Sequence, residues 1–452
     1  MTILITPRRF TGTVTIPASK SHTIRQLLIA SLADGNSVIK QPLDSLDTRS
    51  CLAACRIFGA EIIPFTDNDE FGWQIKGING FKDPSYLSDT ASPLKNAKID
   101  VGNSGTTLYL ALAIAALQKE PIFFTGDEQI LKRSAAPLLD ALTSLGVQSE
   151  SNKGCAPITI KGPFKGGKVS LSCPTSQYLS ALLIASPLAP AGTVTEIEVP
   201  LLNEKPYIEM TLSYLNKHCI PFETTPDFSS FTIPGGSSWT AFTAPVPGDF
   251  SSAAFPAAAA AITGGPVSIL GLDPNDSQGD KFFFKMLEKM GCDVKWQKRC
   301  QAPFLTSDEK RCQAPFLPYV TVSREGTLRG GTFDLNETPD LLPAAAVTAA
   351  FAEGDTALVN VAHARIKETD RIAVMRSELA KLGVDCTERP DGLIIHGKGA
   401  LSPVENPVID GHGDHRIVMA FAAAAAGSPV PVQITTAECA EVTYPGFFED
   451  FK

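Results

Sequence analysis

An α/β fold, of mixed α+β character, follows from three features of the sequence. A polar motif leads into an alanine-rich helical stretch six times, a β-branched run follows each stretch, and a Gly or Pro turn separates the two. The motifs open at Ser19-Lys20-Ser21, Gly102-Asn103-Ser104-Gly105-Thr106, Thr175-Ser176-Gln177, Gly248-Asp249-Phe250-Ser251-Ser252, Pro339-Asp340 and Asp414-His415-Arg416, every 70 to 95 residues. The matching strands are expected at 37–40, 121–125, 193–199, 266–270, 356–361 and 430–434. A second helix is expected in most copies. Four of these end at Gly59, Gly146, Gly291 and Gly383, where glycine suits a left-handed C-cap, and the third copy ends at His218-Cys219-Ile220-Pro221 instead.

The first copy shows the design. In PASKSHTIRQLLIASLADG, Pro17 to Gly35, either Ser19 or Ser21 can cap a helix, Ile24, Leu27, Leu28 and Ser31 keep a 3.6-residue period, and Asp34-Gly35 stops it. Lys20 and Arg25 do not fit a generic helix start, because the macrodipole makes a cation there unfavourable by roughly 0.3–1 kcal/mol. Something anionic is expected to compensate them.

Strand, helix, strand, helix implies βαβ crossovers with parallel pairing, which bring successive helix starts to one edge of a sheet. Six units divide naturally into two domains of three. The chain is expected to cross at Pro17 and at Pro245-Val246-Pro247, giving one domain over 18–244 and a discontinuous one over 1–17 and 245–452. Two crossings make a hinge and a cleft able to close on ligand. One segment stands outside the pattern: Lys298 to Leu305 recurs letter for letter at Lys310 to Leu317, between a strand ending near Trp296 and another starting near Tyr319, and is expected to be a surface loop.

Composition narrows the function. With 452 residues, 44 % hydrophobic and 19 % charged, the chain can bury a large core. Its apolar runs, such as Ala253 to Ile262, are far shorter than the ~20 residues that span a bilayer, and MTILITPRRF lacks the pattern of a secretory signal. A cytoplasmic protein, a monomer with no membrane partner, is expected. Ten cysteines without zinc-ligand spacing or a small-domain disulfide framework are read as reduced thiols. A net charge of −9 argues against nucleic acid, so any anionic ligand must be met by a local cluster of cations.

Such a cluster is visible. Arg133 precedes a helix expected from Ser134, Lys367 and Arg371 flank the helix opening in ARIKETDR, and Arg416 follows Asp414-His415, repeating the anomaly of Lys20 and Arg25. Singly each reads as a solvated surface residue; together, at equivalent junctions of a repeat, they favour a site for several negative charges. Gly102 to Thr106 offers backbone N–H groups to a phosphate or carboxylate, and equally serves as a tight turn. Thr175, Ser176 and Gln177 offer hydroxyls and an amide, or an ordinary N-cap. Ser21 and Arg25, four apart, face the same side of their helix. Asp340 is either a cap or a proton carrier, Glu368 sits between Lys367 and Arg371, and His415 lacks any zinc-type cluster, so no metal is assigned.

SKSHTIR, GNSGT, TSQYLSALL, NEKPYI, GDFSSAAF, IKETDR and DHR occur in this order across essentially the whole chain, and the ordered set resembles the 5-enolpyruvylshikimate-3-phosphate synthase family. The resemblance implies an inside-out α/β architecture of two domains, each of three βαβαββ units. It also implies transfer of the enolpyruvyl group of phosphoenolpyruvate to the 5-hydroxyl of shikimate 3-phosphate, without metal or organic cofactor. By the same resemblance Lys20, Arg133, Arg371 and Arg416 hold phosphoenolpyruvate, with Gly105 and Gln177 close by. Ser21, Arg25, Thr175, Ser176, Gln177, Asp340 and Lys367 hold shikimate 3-phosphate. Asp340 takes the 5-hydroxyl proton, and Lys20 and Glu368 are candidates for proton transfer at the methylene carbon. Four positions depart from the better-known enteric and plant pattern: Tyr109 and Glu204 replace an arginine and a serine, His363 an asparagine, and a lysine is replaced around Val442. Two other readings compete. The related UDP-N-acetylglucosamine enolpyruvyl transferase shares the six-unit plan but not the SKSxxxR, KETDR and DHR motifs. A solenoid-like binding scaffold has no reason to crowd cations at helix starts.

Overall fold

The computed structural model describes residues 1–67, 70–82, 94–300 and 316–451. They fall into two compact units, Ser19–Val246 and Met1–Ala18 with Pro247–Lys452.

Among the described residues, the Ser19–Val246 unit holds helices α1 (Lys20–Leu32), α2 (Leu46–Ile57), α3 (Gly105–Ala115), α4 (Ala136–Ser144), α5 (Gln177–Ala185) and α6 (Lys205–Lys217). Three sheets of one design accompany them. In each, a central strand pairs in parallel with one neighbour and antiparallel with a hairpin on its other side. The central strands are Asn36–Lys40, Ile122–Thr125 and Val194–Glu198, and their parallel neighbours are Thr243–Pro245, Lys98–Asp100 and Gly167–Ser170. The first sheet is thus completed by a strand from the far end of the unit.

The second unit repeats the plan with α7 (Phe250–Thr263), α8 (Phe282–Lys289), α9 (Leu342–Ala350), α10 (Arg371–Lys381), α11 (His415–Ala426) and the short α12 (Phe447–Asp450). Its central strands Val267–Leu270, Ala352–Val359 and Val432–Ile434 take parallel neighbours at Gly12–Thr15, Thr332–Asp334 and Val408–Ile409. The last sheet has no hairpin on its antiparallel side; Ile3–Ile5 lies there instead. Parallel pairing therefore accounts for one side of each central strand only, and the helix starts stand beside six small mixed sheets rather than along one edge. A crossover fixes the parallel neighbour, but the β-rich runs after α2, α4, α6 and α10 are antiparallel hairpins, which need no crossover.

The helices divide into two kinds. Every residue of α9 and α11 is buried, as are Phe250 to Ile262 of α7 and His22 to Leu32 of α1. A helix apolar all round belongs in a core, and alanine lets backbones come close; α7, α9 and α11 pack on one another, as α3 does on α5. The second helices are amphipathic. Helix α2 buries Asp47, Thr48, Cys51, Ala54 and Cys55 on one face. Their ends bear out the C-cap expectation, with Gly59, Gly146, Gly291 and Gly383 all at positive φ; in the third copy Cys219 takes that conformation at φ 55°.

In the fourth sheet the paired strands run Asp293–Cys300 and Phe316–Ser323, several residues beyond the expected ends at Trp296 and Tyr319. The middle of the duplicated segment, expected as a surface loop, lies outside the described residues.

Candidate active site

Each unit gathers its polar groups where its core helices begin. In the Ser19–Val246 unit, Ser19 is the N-cap of α1 with extended backbone, but its side chain makes no capping bond; the Thr23 hydroxyl donates to the Ser19 carbonyl instead, at 2.8 Å. The cation at the helix start finds its anion across the fold, because Lys20 Nζ lies 3.0 Å from Asp47 Oδ2 on α2, both largely buried. Arg25, 1 % exposed, donates from Nε to Thr211 Oγ1 (2.9 Å) and from Nη2 to Ser180 Oγ (3.1 Å), while Nη1 reaches the Ser21 carbonyl at 3.2 Å. Burial pushes its guanidinium down to about 10, against the opposing pull of Tyr214, Tyr207 and Glu204.

Gly105 opens α3 beneath Arg133. A Cβ at Gly105 would stand 2.6 Å from Arg133 Nη1, so the missing side chain is what lets the guanidinium lie there, with Nη2 3.3 Å from Asn103 Oδ1. The next carbonyl, of Ser134, accepts from the Tyr178 and Tyr109 hydroxyls at 2.6 and 3.1 Å, and the two rings meet edge to face at 5.0 Å. Tyr109 on α3 and Tyr178 on α5 thus clamp the Arg133 segment to both helices. Helix α4 begins at Ala136, not Ser134, with Arg133 ending a 3₁₀ turn. Thr175 and Ser176 are not simple caps of α5, since Ser176 makes no capping bond. Both hydroxyls and the Ser176 N–H point to Glu204. Gln177 Oε1 is buried without a hydrogen-bond partner among the described residues.

In the second unit the expected residues form one network. Asp340 ends up in a 3₁₀ turn ahead of α9, and its carboxylate is taken by arginines rather than by the helix: Oδ1 accepts from Arg371 Nη1 at 2.8 Å and Oδ2 from Arg416 Nη2 at 2.9 Å, with Lys367 Nζ 4.0 Å away. Arg371, 0 % exposed, also donates from Nε to Asp414 Oδ2 at 2.8 Å and pairs with Glu368. Burial alone would raise the Asp340 carboxyl, but Arg416, Lys367 and Arg371 together hold it well below the usual carboxylate range. For Arg371 burial is outweighed by Asp414, Glu368 and Asp340, which hold it above its ordinary value. Removing the Arg371 guanidinium would strand buried charge at a cost of about 3–5 kcal/mol.

Asp280 and Asp414 have no counterpart among the sequence-derived candidates. Asp280, 2 % exposed, accepts from the Ser251 hydroxyl of the GDFSS motif, and burial, then the Asp340 charge, push it up to about 7. Asp414, which opens the last motif, caps α11 by accepting from the Arg416 N–H at 2.9 Å and also pairs with Arg371. Asp47 lies 27 residues from Lys20 with no local pattern to connect them. His415 is buried beside Asp414, its Nδ1 3.9 Å from that carboxylate, and His363 Nε2 lies 3.1 Å from the Asn336 carbonyl. Among the described residues no group of His, Cys, Asp and Glu is arranged to hold a metal ion.

Residues 5–451 match the family model described as EPSP synthase (3-phosphoshikimate 1-carboxyvinyltransferase). The chain belongs to the EPSP synthase family. It is 42 % identical over 450 residues to the 3-phosphoshikimate 1-carboxyvinyltransferase of Acetivibrio thermocellus, an alignment spanning 99 % of this chain and 96 % of that protein. It is 41 % identical over 442 residues to the enzyme of the same name from Methanocella arvoryzae, with 97 % and 95 % covered. Among solved structures, an EPSP synthase from Acinetobacter baumannii superposes with a TM-score of 0.76 at 28 % identity, over 99 % of this chain and 97 % of that one. The enolpyruvyl transferase NikO from Streptomyces tendae, at 17 % identity, TM-score 0.73 and 100 % and 96 % coverage, shares the fold. EPSP synthase membership removes the scaffold reading and disfavours the UDP-N-acetylglucosamine one. No helix among the described residues is long and apolar enough to cross a membrane.

Proposed function

We propose that this chain transfers the enolpyruvyl group of phosphoenolpyruvate to the 5-hydroxyl of shikimate 3-phosphate, releasing phosphate, and that the clusters of both units act on these two substrates. The observation that carries the reading is Asp340 held between Arg371 and Arg416 with Lys367 and Glu368 alongside. Lys20, Arg133, Arg371 and Arg416 are assigned to phosphoenolpyruvate, with Gly105 and Gln177 beside it. Ser21, Arg25, Thr175, Ser176, Gln177, Asp340 and Lys367 are assigned to shikimate 3-phosphate.

Two anionic substrates repel each other until fixed cations neutralise them, and the same cations remove much of the entropy of encounter. An anion taking Arg371 and Arg416 loosens their hold on Asp340. The charges that keep this carboxyl acidic are then shared, and it becomes a stronger base for the 5-hydroxyl proton. Lys20 or Glu368 delivers a proton to the methylene carbon, the alkene electron pair forms the new C–H bond, and the hydroxyl oxygen attacks the resulting cationic carbon. Loss of a methyl proton and of phosphate from this tetrahedral ketal restores the vinyl group.

The test is phosphate release from phosphoenolpyruvate, which should depend on shikimate 3-phosphate and ignore UDP-N-acetylglucosamine; the opposite dependence would overturn the reading. We further read the enzyme as cytoplasmic, on the strength of ten cysteines scattered without disulfide spacing, and as a monomer. Sedimentation at assay concentration and cell fractionation test the two halves of that statement.

A further inference from the structure

We propose that Glu204 sets phosphate affinity by competing with the phosphate of shikimate 3-phosphate for the hydrogen-bond donors of Thr175 and Ser176. This rests on the assignment of those two residues to that substrate. One oxygen of Glu204, Oε2, accepts three hydrogen bonds: from Ser176 Oγ at 2.7 Å, from the Ser176 N–H at 2.9 Å and from Thr175 Oγ1 at 3.1 Å. Two hydroxyls and a backbone N–H converging on a single anionic oxygen are what a phosphate oxygen would ask for. Each of these donors has one hydrogen to give.

The carboxylate is built into place. Glu204 is 1 % exposed and opens α6 in the left-handed region, φ 60° and ψ 43°, which a glutamate adopts only when its surroundings hold it there. The preceding residue, Asn203, ties the turn to the same segment, its N–H donating to the Cys173 carbonyl at 3.1 Å and its Nδ2 to the Pro174 carbonyl at 3.3 Å. Its charge also reaches Arg25, whose hydrogen bonds among the described residues go only to hydroxyls and carbonyls. Glu204 therefore plays two parts that a substrate phosphate would play: it accepts from Thr175 and Ser176, and it offsets a buried guanidinium. Two anions cannot share these donors, so phosphate binds only as the carboxylate swings aside. A ligand with a hydroxyl in place of the phosphate does not require that displacement, and Glu204 narrows the preference for the phosphorylated substrate.

Glu204→Gln keeps the shape and removes the charge. In the full chain, dissociation constants for shikimate 3-phosphate, shikimate and inorganic phosphate are measured by calorimetry, with a thermal melt of each protein. Shikimate 3-phosphate should bind roughly tenfold more tightly to the variant, about the effect of relieving one like-charge contact, and inorganic phosphate should follow, while shikimate stays unchanged. Should Glu204→Gln fail to fold, Glu204→Asp withdraws the carboxylate by one methylene and should give the same order of effects on a smaller scale. Unchanged or weaker binding of shikimate 3-phosphate by a folded variant, or equal changes for shikimate, would make Glu204 a mere brace and overturn the inference. If the wild-type chain binds neither shikimate nor its phosphate, the functional assignment fails. A phosphate affinity still raised by the substitution would then leave the competition standing, and an unchanged one would end both.

Discussion

Asp340 has its two carboxylate oxygens divided between two arginines, and its chemistry follows from that division. Asp340→Asn keeps the shape and gives up the base, so kcat should fall by about 100- to 10,000-fold, the usual worth of a positioned general base, in a protein that still folds but melts lower because Arg371 and Arg416 lose a buried anionic partner; turnover within a few-fold of wild type would remove Asp340 from the chemistry. Gly105 makes the complementary case for an absent side chain. A Cβ there meets Arg133 Nη1 at 2.6 Å, and Gly105→Ala must push the guanidinium aside. The KM for phosphoenolpyruvate is expected to rise by roughly tenfold or more, a modest loss of about 1.4 kcal/mol in binding, with the KM for shikimate 3-phosphate little altered. Steady-state kinetics with each substrate varied in turn would check it.

At the scale of helices, close packing of alanine is what joins α7, α9 and α11. Gly427, the C-cap of α11, shows how little room is left: a Cβ there would lie 2.3 Å from Ile262 Cγ2, at the end of α7, and 3.0 Å from the Phe351 ring after α9. Its φ of −98° asks nothing special of glycine, so the constraint is purely steric. Gly427→Ala should cost about 1–3 kcal/mol by overpacking, read as a lower urea midpoint with activity per folded molecule retained. These helices and their following strands were legible in the sequence because alanine-rich periodicity and β-branched runs are local signals. Pairing of the strands was less so, since hairpins and crossovers draw on the same residue types. At the site, the cations announced themselves by sitting where the helix dipole disfavours them. Their partners did not: Asp47, Asp280 and the role of Glu204 depend on which elements meet in space, and nothing local to Asp340 or Asp414 points to the arginines on other helices that they pair with.

For the molecule as a whole, pH dependence offers a test of the charge arrangement. Burial and the Asp340 charge push Asp280 up to about 7 in the folded state, against an ordinary value near 4 in the unfolded chain. Between those two values the folded protein keeps a proton that the unfolded one has lost, so this group makes stability fall as pH rises, and the loss is complete above about 7. Asp280→Asn cannot ionise. Its melting temperature relative to wild type should be flat below pH 4, climb through that window, by about 2–4 °C for each kcal/mol in a unit of this size, and level off above it. A difference that does not vary with pH would mean the carboxyl titrates normally. The sheet containing Ile3–Ile5 carries a different consequence, for biosynthesis. Its partner strand is Val432–Ile434, whereas the sheets of the Ser19–Val246 unit need nothing beyond Pro245. On the ribosome the inserted unit can therefore mature first, while the leading strand of the other waits, unmated, until almost the entire polypeptide has been translated.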